Sequence, residues 1–321
     1  MKVKFLVGST FLDMLNVKTF KERHNYINSE RWSSFRNTFG KKDLGFILAG
    51  DLIKEIDEGK TVPVYEFNED LTPKKVSSGL DSELFMLSSF SPVPGRLATR
   101  EEIEKMVNYV EDWSKKGSIE NIVNSKKGTL SEDKISILEL QEAGFNTPFS
   151  KHFTNYDDLK IFWETNRDSK YILKPRFGLE GKGIKRLTDK ELENLKDSKI
   201  GDYILQEELD IISEKRLIFL DGDFLGSRII LDRNRPWENK TTSGRLHSEE
   251  KYSPSQEEID KSREIMKTFD AKLGCVDWIK TSEGKDYYLE FNGVSTGYGL
   301  KGDPYNLNQE VAKGLKEKFL K

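Results

Sequence analysis

The sequence predicts an α/β protein of two or three domains, and three observations carry that prediction. Short apolar runs of strand length alternate with helix-period segments along the whole chain. A polar, lysine-rich stretch at 115–129 separates the first third from the rest. The 321 residues also exceed what one hydrophobic core fills, since single cores stop growing at about 250–300 residues.

In the first third, strands are expected at 2–8, 44–50, 61–67 and 83–90, making a small α/β unit over 1–125. A helix follows at 99–114. Thr99 and Glu102 have capping-box spacing, and Ile103, Met106, Val107, Val110 and Trp113 fall on one face. The middle part, 126–205, reads helix 131–143, strand 147–153, helix 155–165, strand 170–176, a glycine loop, strand 183–187, helix 189–197 and strand 202–206. Thr188 and Glu191 repeat the capping-box spacing. The last part, 206–321, has strands near 216–220 and 223–231 and a polar stretch at 232–254. A helix then runs from Ser255, carries Ile259, Ile265, Met266, Phe269 and Leu273, and stops at Gly274. Strands at about 274–280 and 286–292 and a C-terminal helix close the chain.

Charged residues make up 33% of the chain, yet the net charge is only -3, which argues against a nucleic-acid binder with its basic excess. No apolar run approaches the roughly 18 residues of a membrane span, and the start MKVKFLVGST reads as a strand rather than a secretory signal. One cysteine, Cys275, excludes an internal disulfide, and a cytoplasmic location is expected. The three histidines, His24, His152 and His247, have no zinc spacing, so a metal site would need oxygen ligands. His24 and His152 read as ordinary surface or core residues. Cys275 shares a strand face with Asp277, but no base is recognisable beside it, and it receives no nucleophile role.

The segment YILKPRFGLEGKGI places Lys174 in an apolar strand before Gly178, Gly181 and Gly183. Glycines let backbone N–H groups approach an anion, and a nearby lysine adds charge for the same phosphate. A tight turn with a snorkelling lysine is the plain alternative. Neither the GK[ST] of a nucleotide P-loop nor the strand–turn–helix setting of a dinucleotide fold is present.

In CVDWIKTSEGKDYYLEFNG, a turn symmetric about Glu283 and Gly284 would pair residues whose numbers sum to 567, placing Asp277 opposite Glu290. Alternation would put Glu290 and Asn292 on one face, with Leu289 and Phe291 toward the core. Two carboxylates facing each other repel unless a cation lies between them, which points to Mg2+. A solvated strand face, or a one-residue slip, is the alternative. The stretch DYILQEELDIISEKRLIFLDG is either an acidic surface turn or, between a phosphate loop and a metal pair, an adenine hinge.

From about Thr129 to Gly299 the ordered set of these segments resembles the ATP-grasp family, in particular its carboxylate-amine ligases. The resemblance implies an α+β fold in which two subdomains with mainly antiparallel sheets clasp ATP, behind the N-terminal domain. It implies that Lys134, in SEDKISILEL, and Lys174 reach the phosphates, under a lid containing Gly178, Gly181 and Gly183. Gln206, Glu207 and Leu209 would surround adenine, Glu214 would meet the ribose, and Arg216 a phosphate or substrate. Asp277, Glu290 and Asn292 match the metal ligands in type and order, for two Mg2+ ions or Mn2+.

The implied reaction is ADP-forming ligation. A substrate carboxylate is activated as an acylphosphate and then joined to an amine or hydroxyl, with Arg228 and Arg245 as candidates for stabilising the oxyanion. Two solvated arginines are the plain reading of that pair. The carboxylate would belong to a small molecule, peptide or protein. A homodimer is compatible with the family, and neither nucleic acid nor membrane is expected as a partner. A kinase on the same scaffold and a nucleotide-binding regulatory module are the alternatives. The chain departs from many members after Asn292, where GVSTGYGL replaces a serine-proline-glycine stretch. Substrate choice is expected in 1–125 and in loop 232–254, where Arg233, Arg235, Trp237, Lys240, Arg245 and His247 could meet an acidic or peptidic substrate, unless this is simply a polar loop.

Overall fold

The computed structural model describes residues 2–7, 30–40, 43–67, 73–87, 98–177, 181, 183–196, 198–231, 249–293 and 306–320. Gly178, His24, and the loop residues Arg233, Arg235, Trp237, Lys240, Arg245 and His247 lie outside them. Among the described residues three sheets form. The first takes the strands β1 (Val3–Val7), β2 (Leu44–Leu48), β3 (Pro63–Phe67), β4 (Pro73–Ser78), β5 (Ser82–Leu87) and β6 (Ile119–Ile122), in the order β4-β3-β2-β1-β5-β6. β1 pairs parallel with β2 and β5, and β5 with β6, whereas β3 and β4 join antiparallel. This sheet is therefore mixed, not antiparallel. VKFLV and LGFIL are buried at every position, as expected of strands covered on both faces.

Helices α1 (Glu30–Phe39), α2 (Ala49–Glu58) and α3 (Arg100–Lys115) accompany the first sheet. α3 begins at the expected capping box of Thr99 and Glu102. α2 begins where the predicted strand 44–50 should have continued, because Asp51 to Glu58 follow a helical rather than an alternating apolar pattern, and it ends at Gly59 with φ 66°. β4 escapes sequence reading because its residues are partly or fully exposed and carry no apolar alternation.

The predicted helix 131–143 is instead a 3-10 turn (Lys134–Ser136) followed by α5 (Ile137–Glu142), and a separate short helix, α4 (Lys126–Leu130), precedes it. Asp133 causes the change, since its Oδ1 accepts the Ile135 N–H at 3.2 Å and starts the 3-10 turn there. The second sheet, β7 (Ser150–His152), β8 (Tyr171–Pro175), β9 (Lys185–Arg186) and β10 (Tyr203–Glu207), is antiparallel in the order β7-β10-β8-β9. Helices α6 (Tyr156–Thr165) and α7 (Asp189–Asn194) cover it, with Leu159, Trp163, Leu173, Leu192 and Leu205 in the core.

The third sheet is antiparallel in the order β13-β12-β11-β14-β15, from β11 (Ile211–Leu220), β12 (Asp223–Leu231), β13 (Glu249–Lys251), β14 (Leu273–Thr281) and β15 (Asp286–Asn292). The stretch read as a turn or hinge up to residue 215 is thus largely strand. Glu214 and Lys215 in it are buried instead of solvated, and Lys215 holds Glu258 and Asp286, each at 2.7 Å. Helix α8 (Gln256–Thr268) starts at Ser255 as expected but ends well before Gly274. Gly274 lies inside β14, where a Cβ would stand 2.4 Å from the Phe291 ring, so close packing and not helix termination requires it.

One face of this sheet, with Leu217, Phe219, Val276, Trp278, Tyr288 and Phe291, packs on α5 and α8. The other begins with Ile218, Leu220, Leu273 and Cys275, which share a core with β1, β2, α1 and the closing helix α9 (Leu307–Phe319). Further along that same face stand the charged residues of the candidate site.

Candidate functional site

β14 and β15 pair Asp277 with Glu290 and Cys275 with Asn292, as the residue count predicts. The route differs from the predicted one. Next to the turn the pairs are Lys280 with Asp286, Ile279 with Tyr287 and Trp278 with Tyr288, whose numbers sum to one less. A bulge with Leu289 as the extra residue restores the register beyond it. Leu289 consequently leaves the core position expected for it. Tyr288, fully buried, takes the core place and packs against Trp278, with ring centroids 6.3 Å apart. The bulge is what turns Glu290 and Asn292 to the face of Asp277.

Asp277 is fully buried and meets Arg216 in a two-pronged ion pair, Nε to Oδ1 at 2.7 Å and Nη2 to Oδ2 at 2.5 Å. The pairing follows from register, since β11 puts Arg216 opposite Asp277 on one side and Arg228 on the other. Asn292 donates Nδ2 to Asp277 Oδ2 at 3.2 Å. Burial and the neighbouring Glu290 push the Asp277 carboxyl up, against the pull of Arg216 and Arg228. Glu290 moves the other way: burial alone would raise it, but Lys134, Lys174 and Arg216 outweigh that and hold it below the usual glutamate range. Like charge on the two carboxylates is thus met by three cations from three different elements. Cys275, on β14 opposite Asn292, is fully buried, and burial pushes its thiol up, away from the thiolate a nucleophile needs.

Lys174 is buried on β8 opposite Ile204, and Lys134 sits in the 3-10 turn with its N–H donated to the Arg176 carbonyl at 3.1 Å. Gly181 and Gly183 have φ of 73° and 77°, and a Cβ on Gly183 would meet Pro175 Cγ at 2.9 Å, so the loop needs glycine at both. Gln206 is buried and donates to Ser150 Oγ at 3.0 Å, and the Glu207 N–H goes to the Phe149 carbonyl at 2.8 Å. Leu209 follows β10, half-buried. Glu214, also buried, shares its face of β11 with Arg216. His152 Nε2 lies 2.9 Å from the Gly201 carbonyl and is a satisfied structural residue.

Two residues escaped sequence reading. Asp133 was visible only as the neighbour of Lys134. Asn124 had no signal at all, yet its amide is filled on both sides: Nδ2 donates to Leu273 and Gly293 carbonyls at 2.8 and 2.7 Å, and Oδ1 accepts the Lys272 and Leu273 N–H groups. It anchors the chain immediately after Asn292.

No protein-family model matches the sequence, and neither does any curated protein. Solved structures do match. The ATP-grasp ligase PsnB complexed with minimal precursor aligns over 99% of both chains at 16% identity, with a TM-score of 0.62. The chain has the ATP-grasp fold. The macrocyclase MdnC bound with precursor peptide MdnA, from Microcystis aeruginosa MRC, aligns over 99% of this chain and all of its own, at 13% identity and a TM-score of 0.63. D-alanine–D-alanine ligase from Bacillus anthracis complexed with ATP covers 100% of this chain and 96% of its own, at 15% identity and a TM-score of 0.59. The match to the ATP-grasp fold extends over the first sheet as well as the two antiparallel ones.

The donor set accommodates Mg2+. A carboxylate has about four lone-pair sites, of which Arg216 occupies two on Asp277 and Asn292 one. Asp277 therefore retains acceptor capacity, and Glu290 adds a second carboxylate. Among the described residues no three His, Cys, Asp or Glu side chains gather into a cage. That suits an ion that takes one or two carboxylates and completes its shell with water and phosphate oxygens.

Proposed function

We propose that the chain is an ATP-dependent, ADP-forming ligase that joins a carboxylate to an amine or hydroxyl, acting on a peptide. The observation that carries this is the Asp277–Glu290 pair facing Lys134, Lys174 and Arg216 within an ATP-grasp fold. Neighbouring structures support the rest: PsnB is seen with minimal precursor, Mg and ADP, and MdnC with its precursor peptide.

Asp277, Glu290 and Asn292 would hold Mg2+, one ion or two, which when bound neutralises charge on the phosphoryl oxygens. Lys134 and Lys174 would bind the phosphates, with the backbone at Gly181 and Gly183 closing over them. Gln206, Glu207 and Leu209 would line the adenine and Glu214 the ribose. Arg216 orients Asp277 through its two-pronged contact and pulls against the burial that pushes this carboxyl up. Arg228, buried opposite Arg216, would face the oxyanion when the amine or hydroxyl attacks the acylphosphate, and Arg245 would assist from the loop.

A thermal shift with Mg·ATP tests the nucleotide site first. Ligand at about 100 times its dissociation constant contributes roughly 2.7 kcal/mol. The melting midpoint should rise by several degrees for the wild type, and not for Lys174→Ala or Glu290→Gln. Retained binding and turnover in Glu290→Gln would remove the metal assignment. With a substrate peptide present, hydroxylamine should be captured as a hydroxamate; ATP consumed without hydroxamate would mean a kinase.

A further inference from the structure

We infer that Asp133 is a positioning residue that locks Lys134 and Lys174 into one phosphate-binding geometry and ties both to helix α3. The inference rests on the nucleotide reading above. Asp133 is fully buried, and every lone-pair site of its carboxylate is taken. Oδ2 accepts from Arg100 Nη1 at 2.7 Å and from Arg176 Nη2; Oδ1 accepts from Arg176 Nε at 3.0 Å and from the Ile135 N–H at 3.2 Å. A saturated carboxylate has nothing left for a ligand, in contrast to Asp277. Its role is therefore in what it holds.

What it holds are the two lysine-bearing segments. Asp133 immediately precedes Lys134 and caps its 3-10 turn. Arg176, two residues beyond Lys174, accepts the Lys134 N–H at its carbonyl, donates its own N–H to the Asp202 carbonyl at 2.9 Å, and reaches the Gly201 carbonyl through Nη1 at 3.2 Å. The end of β8, the 3-10 turn and the approach to β10 are thus fixed together around one carboxylate. Arg100, at the start of α3 and also paired with Glu104 at 2.7 Å, attaches this assembly to the first sheet's layer. Burial would raise the Asp133 carboxyl, but the two arginines and the Ile135 N–H hold it below the usual aspartate range.

The test is calorimetric titration of wild type, Asp133→Asn and Arg100→Ala with Mg·ATP, and with adenosine by competition, at a temperature where circular dichroism shows each variant folded. Asp133→Asn should weaken Mg·ATP roughly tenfold to a hundredfold, the range for groups that orient a site's own ligands, while adenosine affinity stays unchanged. Arg100 is partly exposed, so Arg100→Ala keeps the fold even if Asp133→Asn does not, and it should show a smaller loss confined to Mg·ATP. Unchanged Mg·ATP affinity in both variants, or equal loss of Mg·ATP and adenosine, overturns the inference while leaving the nucleotide reading intact. A wild type that binds neither ligand overturns that reading, and the inference with it.

Discussion

Arg216 is the residue on which the charge balance of the site turns. Asp277 is fully buried and Arg216 nearly so, with 18% of its side chain exposed, and removing one partner of such a pair strands the other in a poor dielectric. Arg216→Met should therefore destabilise the protein by about 3–5 kcal/mol, read as a lower denaturation midpoint at constant slope. Retained stability would mean that Asp277 is carried by Arg228 instead. Gly274 makes the complementary steric case. Its missing Cβ is the space occupied by the Phe291 ring, which is buried and has nowhere to retreat. Gly274→Ala should cost about 1–3 kcal/mol by overpacking, again measurable by denaturation. Asp277, Glu290 and Asn292 were legible one by one because acid and amide at strand spacing stand out. The Arg216–Asp277 pair was not, because register between strands 61 residues apart is invisible in local pattern.

At the scale of elements, α8 shows how an N-terminus is joined to a sheet. Ser255 and Glu258 form a reciprocal capping box, and Glu258 also receives Lys215 Nζ and the Tyr252 hydroxyl, each at 2.7 Å. Ser255→Ala should cost about 1 kcal/mol in denaturant unfolding. Glu258 also gives the acid limb of stability a sign. Burial would raise its pKa, but Lys215, the Ser255 N–H and Tyr252 together hold it below the usual glutamate range. A depressed carboxyl stabilises the fold fully above its unfolded pKa and loses that contribution as pH falls through the folded one. Stability should decline as pH drops below about 4.5, and Glu258→Gln should flatten that decline; a mutant with an unchanged acid limb would refute the assignment. The capping threonines, and Ser255 as the start of a helix, were readable in the sequence. The bulge at Leu289 was not, since it depends on how the tight turn at Thr281–Lys285 and the core demand of Tyr288 are reconciled.

Across the whole molecule, α9 links the end of the chain to its beginning. Leu307, Val311, Leu315 and Phe319 are buried in the core shared by β1, β2, α1 and the third sheet, and Lys316 Nζ donates to the Thr38 carbonyl at 2.9 Å. Burying four such side chains is worth roughly 6–12 kcal/mol, comparable to the entire net stability of a typical domain, about 5–15 kcal/mol. A chain ending before residue 306 should thus fail to fold cooperatively, seen as loss of a sharp melting transition. A truncated chain that melts as the full chain does would show that α9 merely decorates the surface.

What the sequence determined by itself was local: the apolar runs of the strands, the capped helix starts, the lysine before the glycine loop, and the order of acidic residues that resembles ATP-grasp ligases. These depend on neighbours within a few positions, where propensity and periodicity act. Only the tertiary structure decided that β11 already begins at Ile211, that Gly274 serves packing, that a bulge aims Glu290, and that Asp133 and Asn124 tie the layers together. The physical reason is common to all of these. Buried polar groups must find partners wherever the fold brings them, and the partners come from strands and loops that the linear order keeps far apart.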